Sequence, residues 1–257
     1  MMSTGTLKTE QYKSWLPYWA VFQTDMQQTI HTWTYRLWLT ASILVLAGFF
    51  TYRFGVYKET GIVQHGSLFF LQSLRWTILA SMTLVVVLTT GCISSERGTM
   101  ADSVLSRGIS RYQYFLGKWH ARLVTVIGTF LLLGSITILG CIFFLHEDLS
   151  FKGSLIALSA ICALLFTVVT CCVTISAILN STVLGIITVW VLLYGVTLGL
   201  SYFPSVHLSP ELTLQALPHM IKGEYDIQAL GRLLVWTLGI SLGISSVGML
   251  WFARRDI

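Results

Sequence analysis

The chain has 257 residues, with 16 Lys and Arg against 11 Asp and Glu and a formal net charge of +5. Hydrophobic residues make up 54% and charged residues only 11%, and the mean hydropathy is strongly positive. Such usage excludes an ordinary soluble domain and indicates a polytopic membrane protein, whose basic balance reflects topology and anionic lipid heads, with no need of nucleic acid.

The first thirty residues lack a continuous apolar stretch, so no cleavable signal peptide is expected and the first span serves as the membrane signal. Trp15, Trp19, Phe22, Met26, Ile30, Trp33 and Leu37 recur at steps of three or four, which predicts one amphipathic helix with a Trp-rich face. Ser14 is its expected N-cap with Pro17 in the first turn, and Gln23, Asp25, Gln27 and Gln28 form its polar face. A helix of this kind lies along the membrane interface, either as a plain anchor or as the elbow helix of a transporter.

Four runs without a charged residue follow: Leu37 to Tyr52, Trp76 to Ser95, Leu123 to Leu145, and Leu233 to Ala253. Each is close to the roughly 20 residues that a spanning helix needs. Gly153 to Val206 is also uncharged, and at about 1.5 Å per residue it is too long for one crossing of a core about 30 Å thick. It must fold back, with the turn expected at Asn180-Ser181-Thr182. Six spans result, the first flanked by Arg36 and Arg53, whose side chains can snorkel to the two interfaces. With the N-terminus inside, ten of the 16 basic residues face the cytoplasm, which predicts that both ends are cytoplasmic.

Five of those ten, Arg97, Arg107, Arg111, Lys118 and Arg122, lie on or beside one hydrophilic stretch between the second and third spans. That stretch, Ser94 to Lys118, reads SSERGTMADSVLSRGISRYQYFLGK. Thr99 with Asp102 and Ser110 with Gln113 fit two capping boxes, and Gly108 stands between them at the turn, which predicts a helix-turn-helix. Met100, Val104 and Leu105 would pack, while Arg107, Arg111 and Lys118 stay solvated or meet an acidic partner. On residue types alone this is any charged loop between spans.

Further along, Gly195 and Gly199 in the fifth span and Gly239 and Gly243 in the sixth are small-xxx-small pairs that let helices approach closely. The first pair fits a dimer seam or ordinary packing within one subunit, and the second fits packing within one subunit. Between these spans, residues 204–230 carry Pro204, Pro210 and Pro218 and an apolar pattern at Leu212, Leu214, Leu217 and Ile221, which predicts one or two short helices. Ser209-Pro210-Glu211 is the expected start, with Pro in the first position.

Several chemistries are absent from the sequence. Trp119 stands where a phosphate-binding loop needs Ser or Thr after Gly117-Lys118, and Tyr112 stands where its first glycine belongs. No ionisable residue lies inside the six apolar cores, against a proton relay, although carbonyls and hydroxyls could still hold sodium. His146-Glu147-Asp148 has no second histidine for a metalloprotease, and His146, His207 and His219 fall in loops. Cys92, Cys141, Cys162, Cys171 and Cys172 sit inside apolar spans without metal spacing and read as packing residues. The acceptor Asn180-Ser181-Thr182 lies on the cytoplasmic side, where glycosylation does not reach it.

The order Ile93-Ser94-Ser95-Glu96-Arg97-Gly98-Thr99, then Val104-Leu105-Ser106-Arg107-Gly108-Ile109-Ser110-Arg111, then Leu116-Gly117-Lys118 resembles the ABC-2 type permease family, the membrane subunits of a class of ABC transporters. Family members carry an acidic ExExGT motif, a leucine-rich helix, a P-[IV]-S-R turn and an LGK at the third span. Here Ser94 stands at the first acid and Gly108 at the proline. The resemblance implies an all-α membrane protein with six transmembrane helices, an N-terminal interfacial amphipathic helix and a cytoplasmic coupling helix between spans 2 and 3.

In that layout residues 1–36 form the N-terminus and elbow, and residues 37–257 the transmembrane domain. Glu96, Arg97, Gly98, Thr99, Asp102, Arg107, Ser110, Arg111, Gly117 and Lys118 would couple to a separate ABC ATPase subunit, which binds ATP and Mg; no cofactor is expected in this chain. Gly195 and Gly199 would lie at the seam with a second permease copy and along the path. Residues 204–230 form either an external gate or a plain connecting loop. The expected role is a non-catalytic export subunit in the cytoplasmic (inner) membrane of a prokaryote. A path lined by Ser, Thr, Trp and Phe suits lipid-like, hydrophobic or zwitterionic cargo. A membrane scaffold and an ion-coupled secondary transporter are the alternatives.

Overall fold

The computed structural model describes residues 15–60, 66–96, 109–144, 150–201 and 210–254. Among them there is no strand, and these described residues form eight helices. These are α1 (Leu16–His31), α2 (Trp33–Thr60), α3 (Gly66–Ser94), α4 (Arg111–Phe144), α5 (Phe151–Ile178), α6 (Thr182–Ser201), α7 (Pro210–Lys222) and α8 (Ile227–Arg254). Four of them, α2, α4, α5 and α8, are long and apolar enough to cross a membrane. Shorter apolar stretches occupy Met82–Ser94 of α3 and Thr182–Val196 of α6.

The long uncharged run divides at Leu179 to Ser181, where Leu179 leaves the helical region at ψ 145° and α6 restarts at Thr182. Of its two products, α5 is the hub, since α3, α4, α6, α7 and α8 all pack on it. A helix apolar on every side is covered by lipid or by protein, and α5 is covered by protein, burying residues from Gly153 through Ala177 around its circumference. Ser150 caps it, its side chain accepting from Gly153 N at 3.3 Å.

The α5–α8 seam is made of small residues. The buried face of α8 runs Leu233, Thr237, Ser241, Ser245, Gly248 and Phe252, each three or four residues after the last. A β-carbon on Gly248 would stand 2.7 Å from Thr174 Cγ2, and Ser241 Oγ donates to Thr167 Oγ1 at 3.2 Å. Gly239 and Gly243, expected to pack within the subunit, instead have no atom of another helix among the described residues within 4 Å of a built β-carbon. Each lies two residues from Ser241, about 200° around the helix, and so points away from α5.

Pro210 opens α7 as expected, and a single helix forms there, with Leu217 and Ile221 fully buried. Its last turn is pinned to the start of α5: Ser150 N donates to Ile221 O at 3.1 Å, and Gly153 leaves no space for a β-carbon against the Met220 carbonyl. His219, expected in a loop, is an exposed residue of α7 that lies 3.3 Å from Glu224 Oε2.

The N-terminal region departs from expectation in three ways. The helix stops at His31, because Thr32 turns extended at ψ 131°, so Trp33 and Leu37 belong to α2. Trp15 occupies the N-cap position without a side-chain cap bond, while Ser14 lies outside the described residues. Finally, Asp25, expected on the polar face, is buried together with Thr29, while Trp15, Trp19 and Ile30 are exposed, as an apolar face turned to the membrane interface would be. The periodic apolar face therefore points outward and the neighbouring face, Tyr18, Val21, Asp25 and Thr29, docks on α4. Periodicity locates an apolar face without saying whether lipid or protein will cover it.

Candidate functional site

Where α3 ends and α4 begins, four ionisable side chains meet: Asp25 of α1, Glu96 just beyond α3, and Lys118 and Arg122 of α4. On α4 the start is set by the expected box: Gln113 N donates to Ser110 Oγ at 3.2 Å and Ser110 N donates to Gln113 Oε1 at 3.1 Å. From there Tyr114, Lys118 and Arg122 follow at four-residue steps and share one face. Helix α3 reaches the same place because Ser176 Oγ accepts from both Ile93 N (3.0 Å) and Ser94 N (3.1 Å), while Ser94 Oγ lies 2.9 Å from Thr182 Oγ1. Its last turn is thereby tied to α5 and α6.

Lys118 is at the centre, only 3% exposed. Its ammonium donates to Asp25 Oδ1 at 3.0 Å and to the Cys92 carbonyl at 2.8 Å, and stands 2.8 Å from Glu96 Oε2. Two hydrogen bonds and one ion pair thus surround the ammonium. Arg122 Nη2 also donates to Asp25 Oδ1, at 3.0 Å, and its Nε lies 2.9 Å from Oδ2, an ion-pair contact too oblique to be a hydrogen bond. Tyr114 donates its hydroxyl to Glu96 Oε2 at 2.8 Å. Two acids thus face two bases, and the cluster is neutral.

A buried cluster of this kind adds little net stability, because desolvation offsets the Coulomb gain, but removing one member strands a charge at a cost of about 3–5 kcal/mol. Its effect is to dictate which helices meet. Helix α1 is held further by a close approach: a β-carbon on Gly117 would lie 2.9 Å from Val21 Cγ1 and 3.2 Å from the Tyr18 carbonyl oxygen. Tyr18 Oη lies 3.1 Å from His120 Nδ1, and burial pushes its phenol pKa up, so the hydroxyl keeps its proton. Helix α8 closes the other flank, with Phe252 stacked on Tyr114 at a 6.2 Å centroid distance and Arg111 Nη1 donating to Ala253 O at 3.3 Å.

Of the sequence-derived residues, the structure brings Glu96, Ser110, Arg111, Gly117 and Lys118 to this one place. Arg97, Gly98, Thr99, Asp102 and Arg107 lie outside the described residues. Glu96 and Lys118 turn toward each other, and Gly117 and Lys118 sit well inside a helix, serving α1. Trp119 is likewise committed, donating Nε1 to Thr170 Oγ1 at 3.1 Å. Gly195 and Gly199 are far from this cluster in sequence, on α6, beside exposed Val191, Tyr194, Val196 and Leu198, and among the described residues no atom of another helix lies within 4 Å of a β-carbon built on either.

Sequence reasoning passed over Asp25, Arg122 and Tyr114. One signal was available: Asp25 is the lone acid between Glu10 and Glu59, while Lys118 and Arg122 stand one turn apart with no acid on their own helix. Among the described residues no three His, Cys, Asp or Glu side chains group as a metal site. Comparison with protein-family models and with curated proteins found no match to this sequence.

Proposed function

We propose that this chain is the permease subunit of an ATP-driven exporter of the ABC-2 type, with six spans, cytoplasmic ends and a second copy across the translocation path. The observation that carries the reading is the 2.8 Å contact between Glu96 and Lys118. These residues lie at opposite ends of the stretch 94–118 that resembles the family's coupling motif, and they join its start to its end. Whatever displaces that stretch acts at once on α3, α4 and, through Asp25, α1. A loop that merely connected two spans would not need its ends closed by an ion pair with a buried lysine.

In this reading a separate ATPase seats the 97–108 segment and supplies the energy, since Gly117-Lys118 is spent on docking α1 and cannot cradle phosphates. ATPase closure displaces the segment, the joined ends of α3 and α4 shift, and a cavity between the two copies changes its access. The exposed apolar face of α6 around Gly195 and Gly199 is the natural seam for the second copy. Uncharged walls of Ser, Thr, Trp and Phe suit a lipid-like, hydrophobic or zwitterionic cargo.

The test is mild-detergent purification of the tagged chain from its native membranes, with mass spectrometry of its companions. The wild type is expected to bring a stoichiometric Walker-motif ATPase, and Asp102→Lys with Arg107→Glu to lose it. These positions are preferable to Glu96 and Arg111, which are engaged with their own chain. A wild-type chain that arrives without an ATPase, from membranes where other complexes survive, ends this reading and favours a scaffold or an ion-coupled transporter.

A further inference from the structure

We infer that Asp25 is a positioning residue of the transmission path: its double pairing with Lys118 and Arg122 makes α1 a strut that moves with the first turns of α4 and delivers that movement to α2. The inference deepens the permease reading and rests on it for one arm of its test.

Three observations carry it. First, Asp25 reaches two bases one turn apart on α4, so α1 is fixed against both sliding and tilting on that helix. Second, the contact is close along more than one turn, with Val21 against Gly117 and Tyr18 beside His120. Third, α1 and α2 are separated by the single extended residue Thr32, and just beyond it Tyr35 Oη lies 2.6 Å from Thr129 Oγ1 of α4. Lys118, Arg122 and Thr129 lie along one stripe of α4. Helix α2 leaves most of its surface exposed and packs chiefly on α4 and α1, so this stripe sets its position.

Charge balance alone would make a weaker demand. Removing Asp25 and Arg122 together leaves Lys118 and Glu96 as a neutral pair, so a residue needed only for compensation becomes dispensable in that background. A residue that positions α1 does not.

The experiment compares the wild type, Asp25→Asn, Asp25→Glu and the charge-balanced Asp25→Asn/Arg122→Gln, each as the full chain with its accompanying ATPase. Amide hydrogen exchange is read across the chain, and ATPase turnover is read relative to the isolated ATPase. Exchange over residues 16–31 is expected to rise about ten-fold or more in Asp25→Asn and in the double variant, with α5 and α8 unchanged. ATPase is expected to stay bound while its stimulation falls roughly five-fold or more in both, and Asp25→Glu to keep most of it. Wild-type exchange over 16–31 and wild-type stimulation in the double variant overturn the inference. So does raised exchange with undiminished stimulation, which would leave a clamp that transmits nothing. If the wild type carries no ATPase, the permease reading fails, and exchange over 16–31 alone upholds or overturns the clamp.

Discussion

The α5–α8 seam and the cluster around Lys118 hold helices together by opposite means. Along the seam, Thr174, Ser241, Ser245 and Gly248 offer close backbone approach and weak hydroxyl contacts, an arrangement that spreads cohesion over the interface. At the cluster, cohesion sits in a few atoms: one carboxylate of α1 meets two bases of α4, and one carboxylate beyond α3 meets one of the same bases. A seam of the first kind tolerates small losses, whereas the second kind is all or nothing. The difference suits a rigid hub beside a joint that must be set in one geometry.

The largest expected effect is at the cluster. Asp25→Ala leaves Lys118 and Arg122 facing each other inside the protein and should cost about 3–5 kcal/mol, read as loss of the folded fraction in detergent melts; Asp25→Ala with Arg122→Leu should recover much of it. If the single variant melts as the wild type does, the cluster is not the all-or-nothing element described here.

Next comes the seam. Gly248→Leu must displace Thr174 or α5 itself, because even a β-carbon lies within 2.7 Å, and overpacking of that size costs about 1–3 kcal/mol. Ser110→Ala removes the cap of α4 for about 1 kcal/mol, visible as faster exchange in its first turn alone. Smallest is Gly239→Leu, which meets nothing in the chain and should stay within about 0.5 kcal/mol in the monomer. A large effect there, confined to conditions in which the protein is oligomeric, would place a second chain on that face.

The parts that sequence reasoning reached are those fixed by local chemistry. Uncharged runs mark helices α2, α4, α5 and α8, the break near Asn180 follows from length, Pro210 starts α7, and Ser110 with Gln113 closes its box. The parts it missed depend on what a face meets. Asp25 shares the polar face with Gln23, Gln27 and Gln28, yet it alone of the four turns inward. Gly239 and Gly243 match a packing motif, while the glycine that packs, Gly248, shows its pattern only with Ser241 and Ser245. Asp25 finds its bases across 93 and 97 residues of chain, a pairing that no local window contains.

That separation also orders events in time. Asp25 leaves the ribosome long before either base exists, so during synthesis it is an acid without a counter-charge. Interface water is the place where it can wait, and the amphipathic form of α1 keeps it there. Only when α4 has been made and inserted can the acid leave water for the interior, drawing α1 after it. The ionic cluster is therefore a checkpoint midway through assembly, closed only by a chain whose fourth helix has arrived.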